Sequence, residues 1–427
     1  MNLSTKIYIL ANECTRSTAY GIGTYLRQLI ECYKCLDLDF DIVFLYSNPG
    51  DSINIEQKDG YRIIRFPTIG NPENGTDMID LKEDIYYRNA AYLLKKISLE
   101  ANYESYVFHL NIMSYNVLVD KLKHVFNNSC KILLTVHYTD WSLDLLGDID
   151  KLKTIMSKEF DDIKDVTEKR IYFQYKQNIE LLRNCDHIIF VAEHTYQMFK
   201  EVGGYQLENY SIVRNALLDE YKELSLDEKI SLKKKFLIKS DEIIISYAGR
   251  VDEIKGVGNL IQAFKLLLNQ YENIRLLIIG EGEFSEFLKS ADPYWSKITF
   301  TGKVDKNILS ELYRVTDIGV LPSKHEEFGY VAIEMMMHFV PIIVSDTGGL
   351  AEIVEDGLSG MKIPLQKSED GVISIDIDLL SKSLSQLLEN KDILNLFAQN
   401  GRKRFLEKFE MQTFLTSMSD VYRIMLV

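Results

Sequence analysis

The sequence predicts an α/β protein made of two doubly wound, largely parallel sheets, and three observations carry that expectation. Short apolar, β-branched runs alternate with helical patterns along most of the chain, the pattern of parallel strands covered by helices. The alternation stops at residues 215–240, a charged stretch with no strand pattern, and then restarts. At 427 residues the chain is too long for one ordinary core and long enough for two or three.

In the first half, the runs at 6–11, 40–45, 61–66, 105–109, 131–137, 187–191 and 210–213 read as strands. The first helix is expected from Thr24 to Tyr33 or a little beyond. Residues 143–183 are helical in pattern, heavily charged and without a strand, which reads equally as a lid over an acceptor or as a solvated crossover. In the second half, 243–248, 274–279, 298–301, 318–321 and 342–345 read as strands. The expected organisation is an N-terminal domain over 1–216, a linker over 217–241 and a C-terminal domain over 242–408. A closing amphipathic helix over 409–427 spaces Phe414, Met418, Tyr422 and Met425 at helical intervals. Doubly wound sheets bind ligands at the carboxyl ends of their strands, so a cleft between two of them is the expected site.

Composition excludes several classes. With 46% hydrophobic and 26% charged residues the chain is globular, and no apolar run reaches the roughly 20 residues of a membrane span. A net charge of −14 argues against nucleic-acid binding, while a local basic patch on an anionic membrane stays compatible with it. The apolar stretch at 7–10 is too short for a signal-peptide core and no cleavage pattern follows, so a cytoplasmic chain is expected, with the inner membrane face as its one membrane contact. Five cysteines form no disulfide framework, and Cys32 and Cys35, a CxxC within the first helix, read as reduced thiols.

Three segments carry the chemistry. After the strand ending at Leu321, Glu326 and Glu334 stand eight residues apart, with Phe328 and Gly329 between them and a helix starting nearby. Carboxylates accept hydrogen bonds from sugar hydroxyls two at a time, and the amides of Phe328, Gly329, Tyr330 and Val331 lie where a helix N-terminus meets a ligand. After the strand ending at Ala248, Gly249 is followed by two cations, Arg250 and Lys255, five residues apart. Fixed cations there would stabilise a departing diphosphate. Between the first strand and the first helix, Tyr20-Gly21-Ile22-Gly23-Thr24 lets backbone approach a ligand closely, and 13–19 would form a lip beside it. His137 ends one strand and His109 another.

The first of these segments resembles the E-x7-E block of retaining GT-B glycosyltransferases, glycosyltransferase family 4 in particular, with Glu327 in place of a small residue and Met335 in place of alanine. Arg250 to Gly256 is similar to that family's G-R-x4-K-G pattern. The resemblance implies Glu326 at the transferred sugar, Glu334 on the ribose, and Arg250 and Lys255 on the pyrophosphate. It implies a glycine loop at Gly21 and Gly23 reaching the donor phosphates, and His137 near the reacting centre. Asp140 falls three residues after His137 rather than next to it, and Asn111 replaces the second histidine of an H-x-H strand end begun by His109.

Further similarities extend the likeness. Residues 184–195 and 213–216 echo blocks of that family's first domain; Gly280, Gly282 and Val304 stand in segments that resemble its two nucleobase loops; and 345–352 resembles its S-x-x-G-G-x-x-E block behind the diphosphate. The implied reaction moves a hexose from a nucleotide diphosphate sugar, UDP-hexose ahead of GDP-mannose, to a hydroxyl of a glycan, lipid or peptide. It needs no metal and no bound cofactor, and it retains anomeric configuration by front-face displacement. A UDP-sugar 2-epimerase of the same architecture and a non-catalytic partner subunit are the alternatives. Tyr86, Tyr87, Tyr92 and Tyr103 add aromatic surface on the acceptor side, as stacking platforms or as ordinary packing.

Overall fold

The computed structural model describes residues 5–12, 21–48, 52–67, 76–99, 103–204 and 207–426. Tyr20 and the expected lip at 13–19 lie outside these residues. The chain divides into two compact units, one of Met1–Asn215 with Phe414–Val427 and the other of Ala216–Thr413.

The first unit is built on β1 (Thr5–Asn12), β2 (Phe40–Asn48), β3 (Asn54–Gln57), β4 (Arg62–Pro67), β5 (Ser105–Leu110), β6 (Cys130–Val136), β7 (His187–Phe190) and β8 (Tyr210–Ile212). They line up as β3-β4-β2-β1-β5-β6-β7-β8, every pair parallel except β3 with β4. Burial on both faces explains the continuous apolar runs: Ile7, Tyr8, Ile9 and Leu10 are all sealed from solvent. The edge strand β3 had no such signature, because Asn-Ile-Glu-Gln is mostly exposed and pairs on one side only.

The expected helical insertion contains the helices Asp140–Leu145, Ile149–Met156 and Val166–Asn184. The second and third start on aspartate caps, Asp148 accepting from the amide of Lys151 and Asp165 from that of Glu168. Trp141 is fully buried and its Nε1 donates to Asn178 Oδ1 at 2.8 Å, which fixes the first helix to the third. From Phe414 onward the closing helix, Met411–Met425, belongs to this unit. Its Tyr422 hydroxyl meets that of Tyr33, and Tyr33 reaches His109 Nδ1 at 2.5 Å.

The second unit has β9 (Ile243–Ala248), β10 (Ile274–Ile279), β11 (Ile298–Gly302), β12 (Ile318–Leu321), β13 (Ile342–Ser345) and β14 (Met361–Ile363). All are parallel, in the order β11-β10-β9-β12-β13-β14. That order reverses between β9 and β12, and a crevice opens outside the carboxyl ends of two such strands because their following loops leave in opposite directions. A small antiparallel hairpin, β15 (Leu365–Lys367) with β16 (Ile373–Ile375), follows.

The stretch 217–241 carries the helix Leu226–Lys235, opened by a reciprocal Ser225–Glu228 capping box. Lys229 pairs with Asp317 at 3.1 Å and Lys233 Nζ donates to the Glu242 carbonyl at 2.6 Å, so this segment is docked on the second unit. Among the described residues no helix is long and apolar enough to cross a membrane.

Candidate functional site

The loops after β9 and β12 are laced together by their backbones. The Lys324 amide donates to the Ile254 carbonyl at 2.7 Å, and Gly256, at φ +68°, leaves no room for a side chain against the Pro322 carbonyl. On this frame Lys255 Nζ and Glu326 Oε2 meet at 2.5 Å, with side chains 17% and 24% exposed. The pair is thus open enough to reach a ligand and dry enough for its charges to act strongly.

The other two predicted charges have other partners. Arg250 is half exposed and pairs with Asp252 at 3.2 Å inside its own loop. Glu334, on the inner turn of the helix Tyr330–Met337, accepts from the Tyr313 hydroxyl at 2.8 Å. Burial raises the Glu334 pKa above the usual carboxylate range, and the Tyr313 hydrogen bond works against that rise. Burial also holds Tyr313 protonated, so its hydroxyl is a permanent donor.

The helix Tyr330–Met337 begins at Gly329, φ +107°, and no side chain caps it. Its N-terminal end, at Tyr330 and Val331, therefore presents the positive end of the helix dipole to an incoming group. Phe328 is buried against Tyr330 and Phe409, at ring distances of 5.3 Å and 6.2 Å, so it shapes the loop from beneath. Glu327 turns inward to His325 Nε2 at 3.1 Å, and both are buried.

Three neighbouring loops are tied in the same way. Gly280 donates to the Gly302 carbonyl at 3.1 Å, Gly282 bridges Val251, and the Gly349 amide donates to the Glu326 carbonyl at 2.8 Å. Val304 is half buried, one residue before the Asp305 cap of the helix Lys306–Val315.

In the first unit, Gly21 and Gly23 lie within the first turn of the helix Gly21–Cys35 rather than in a loop before it. Glycine accepts helical dihedrals as well as turn ones, so its spacing alone did not decide between the two. His137 Nε2 lies 3.0 Å from Asn111 Oδ1, and its ring sits edge-on to Tyr25 with centroids 4.4 Å apart. Because that amide oxygen only accepts, Nε2 carries the proton and Nδ1 the lone pair. Burial lowers the His137 pKa to about 3, so the ring is neutral.

His109 is fully buried, with Tyr33 on Nδ1 and Thr135 at 2.7 Å on Nε2; it braces the core and does not face a ligand. Tyr86 and Tyr87 are packing residues, stacked and edged against Tyr46, and Tyr103 bonds to Asp39. Tyr92 alone of the four expected tyrosines is well exposed, at 54%.

A cavity of about 560 Å³ lies at the carboxyl ends of β5 and β6, walled by the helix Val166–Asn184. His137 and Asp140 line it, along with Asn116, Phe173, Gln174 and Gln177, which no sequence motif singles out. Their one legible trace is a 173/174/177 spacing along one helical face. Tyr313 was equally silent, since nothing in a helix interior announces which carboxylate it will meet. Among the described residues no group of three or more His, Cys, Asp or Glu side chains is arranged to hold a metal ion.

Residues 228–404 match the family model for Glycosyl transferases group 1, less than half of the chain. An uncharacterized glycosyltransferase of Methanocaldococcus jannaschii is 29% identical over 204 residues, 47% of this chain and 50% of that one. The chain spans about half the length of the curated relatives it matches. Among solved structures, sucrose-phosphate synthase from Thermosynechococcus elongatus is similar over 99% of both chains, with a TM-score of 0.74 at 19% identity. HepE of Anabaena, in complex with UDP and glucose, is similar over 98% of this chain and 99% of its own, with a TM-score of 0.66 at 14% identity. These likenesses show the fold: α/β, two Rossmann-like domains, the GT-B architecture.

Proposed function

We propose that the chain is a retaining glycosyltransferase that moves a hexose from a nucleotide diphosphate sugar to a hydroxyl acceptor without a divalent metal. The observation that carries this reading is the Lys255–Glu326 pair, held by two backbone-laced loops at the point where the strand order of the second sheet reverses. As the glycosidic bond breaks, negative charge grows on the diphosphate and positive charge on the sugar. A lysine and a carboxylate in contact can separate to meet one each, with the uncapped helix at Gly329 adding amides on the anionic side. Arg250, free to swing from its exposed contact with Asp252, adds a second cation.

Glu334 would accept from the donor ribose, and His137, neutral, would hold a hydroxyl of the sugar without competing for a proton. The departing phosphate oxygen then takes the acceptor proton, since neither Glu326, engaged with Lys255, nor His137 is placed as a strong base. UDP-hexose is the leading donor, supported by the UDP and glucose bound to HepE, with GDP-mannose next.

A thermal-shift screen of UDP-glucose, UDP-galactose, UDP-N-acetylglucosamine and GDP-mannose tests the reading. One of them should raise the melting temperature selectively, by the few degrees that saturating ligand gives, and with EDTA present as without it. Equal indifference to all four would overturn it. Proton NMR of the stabilising donor alone should show slow hydrolysis; epimerisation instead would transfer the site to the 2-epimerase chemistry.

Tyr313 is a positioning residue on this reading, and its removal has a signed pH consequence. Ribose binding needs the Glu334 carboxylate and is lost as pH falls through its pKa. Tyr313→Phe removes the hydrogen bond that holds that pKa down, so the acid limb of donor affinity should move to higher pH. Calorimetric titrations from mildly acidic to neutral pH would show it. Superposed limbs for wild type and variant would remove Glu334 from the ribose.

A further inference from the structure

We infer that the buried His325–Glu327 pair is a positioning clamp, which holds Glu326, the residue between its two members, against Lys255. The clamp follows from the loop itself, and only its consequence for turnover rests on the transferase reading above.

The three side chains part to two sides of the loop. His325 and Glu327 are 2% and 8% exposed and meet at 3.1 Å, Nε2 to Oε1. Glu326 keeps 24% of its side chain exposed and reaches Lys255 Nζ at 2.5 Å. Side chains two residues apart meet on one side of the chain, and the one between them is then directed to the other. The backbone on either side is already tied, the Lys324 amide to the Ile254 carbonyl and the Glu326 carbonyl to the Gly349 amide at 2.8 Å. Those bonds set where the Glu326 backbone stands. They leave the direction of its side chain to its neighbours, and that is what the pair supplies.

Stability alone is a poor reason for the pair. Burying a carboxylate and an imidazole costs solvation that their contact recovers only in part, and apolar residues of like volume would serve folding as well. What the pair does supply is one geometry. The carboxylate oxygen only accepts, so Nε2 carries the proton, and turning either side chain away breaks that bond where no water replaces it. The E-x7-E block that this segment resembles has a small residue in place of Glu327, and a small residue could make no such contact. The clamp is therefore a feature of this chain, and the charge that Glu327 brings to the loop is turned inward.

Acetylation of the full chain, read lysine by lysine by mass spectrometry beside a thermal melt of each variant, tests the clamp with no donor present. Lys255 should label slowly in the wild type, and Glu326→Gln gives the rate of the released lysine. Glu327→Gly should raise Lys255 labelling about five- to tenfold towards that rate, as expected for one lost charge-assisted hydrogen bond. Glu327→Gln, which still offers His325 an oxygen, should label like the wild type. Lys229, paired with Asp317 elsewhere in the same unit, should keep its rate in every variant. If Glu327→Gly does not fold, the double variant His325→Phe, Glu327→Leu removes both partners together, leaves no buried polar group behind, and should release Lys255 equally.

The consequence for the reaction is read as nucleotide release from the stabilising donor. Glu327→Gly should slow it about ten- to hundredfold, the effect of a charged group displaced by about 1 Å. Donor affinity should stay within about threefold, because the loss falls on the transition state, and Glu327→Gln should recover most of the rate. Unchanged Lys255 labelling in the clamp-breaking variants, an equal rise at Lys229, or a glutamine variant as impaired as the glycine one overturns the inference. If Lys255 is released as expected while no nucleotide sugar stabilises the protein, the clamp stands and the transferase reading falls. If a donor binds and is turned over while the labelling does not move, the reverse holds.

Discussion

Lys255→Ala should lower transfer by about 10²- to 10³-fold, the usual cost of removing one preorganised group that stabilises charge in a transition state. Lys255 faces Glu326 at 2.5 Å, so on the proposed reading the substitution strips the diphosphate of its less exposed cation and leaves the carboxylate without its restraint. The two consequences are separable. Glu326→Gln keeps the lysine and should cost turnover by a comparable factor with donor affinity nearly unchanged, because the role we propose for it is toward the sugar as the bond breaks. The fold should tolerate both. The pair is partly solvated, and such pairs contribute on the order of 1 kcal/mol or less to stability. Steady-state kinetics with the stabilising donor, beside a thermal melt of each variant, supplies the check. Near-normal turnover by Lys255→Ala with an unaltered melt would end the assignment of this residue to the leaving group.

The parts of the molecule that could be read in advance are those with local causes. Buried parallel strands write themselves as apolar runs, so β1, β9 and β12 were legible from residues such as Ile7 to Leu10 or Ile243 to Ile245. The helix Leu226–Lys235, opened by the Ser225–Glu228 box, lay inside a stretch expected as a linker, because that stretch was read from its charge and its lack of a strand pattern. β3 and β14 were missed since a short edge strand needs few apolar residues. Within the site, Lys255 and Glu326 could be named from spacing, whereas their contact could not, being set by the bond between Lys324 and Ile254 across two loops. His109 and His137 illustrate the same limit. Both end or nearly end a strand, and only partners distant in sequence, Tyr33 and Thr135 on its two ring nitrogens with Tyr422 behind Tyr33, make the first a core residue.

The glycines invite the strongest structural test, because their sequence reading and their place in the fold call for different things. Gly280 was expected to free backbone for a nucleobase. In the fold it also lets two strand-end loops touch: it sits at φ +144°, and a Cβ there would stand 1.7 Å from the Gly249 carbonyl oxygen. No L side chain reaches that dihedral without strain, and the oxygen it would strike is backbone and cannot rotate away. Gly280→Ala should therefore cost more than about 3 kcal/mol, the range of overpacked or strained core sites. Its neighbour in the ladder, Gly302, is at φ +69° with nothing within 4 Å of its Cβ, so Gly302→Ala should cost only the left-handed penalty of about 1–2 kcal/mol. At roughly 2–4 °C per kcal/mol for a unit of this size, the melts should separate clearly. The functional consequence follows from the same geometry. Gly249 opens the loop that carries Arg250 and Lys255, and its amide is pinned to Ile279 at 2.9 Å beside Gly280. Pushing the two loops apart displaces the cations, so Gly280→Ala should lose donor stabilisation as well as melting temperature, while Gly302→Ala keeps the larger part of both. Indistinguishable melts for the two variants would show that the loops yield easily, and that the Lys255–Glu326 contact is not held by the backbone beneath it.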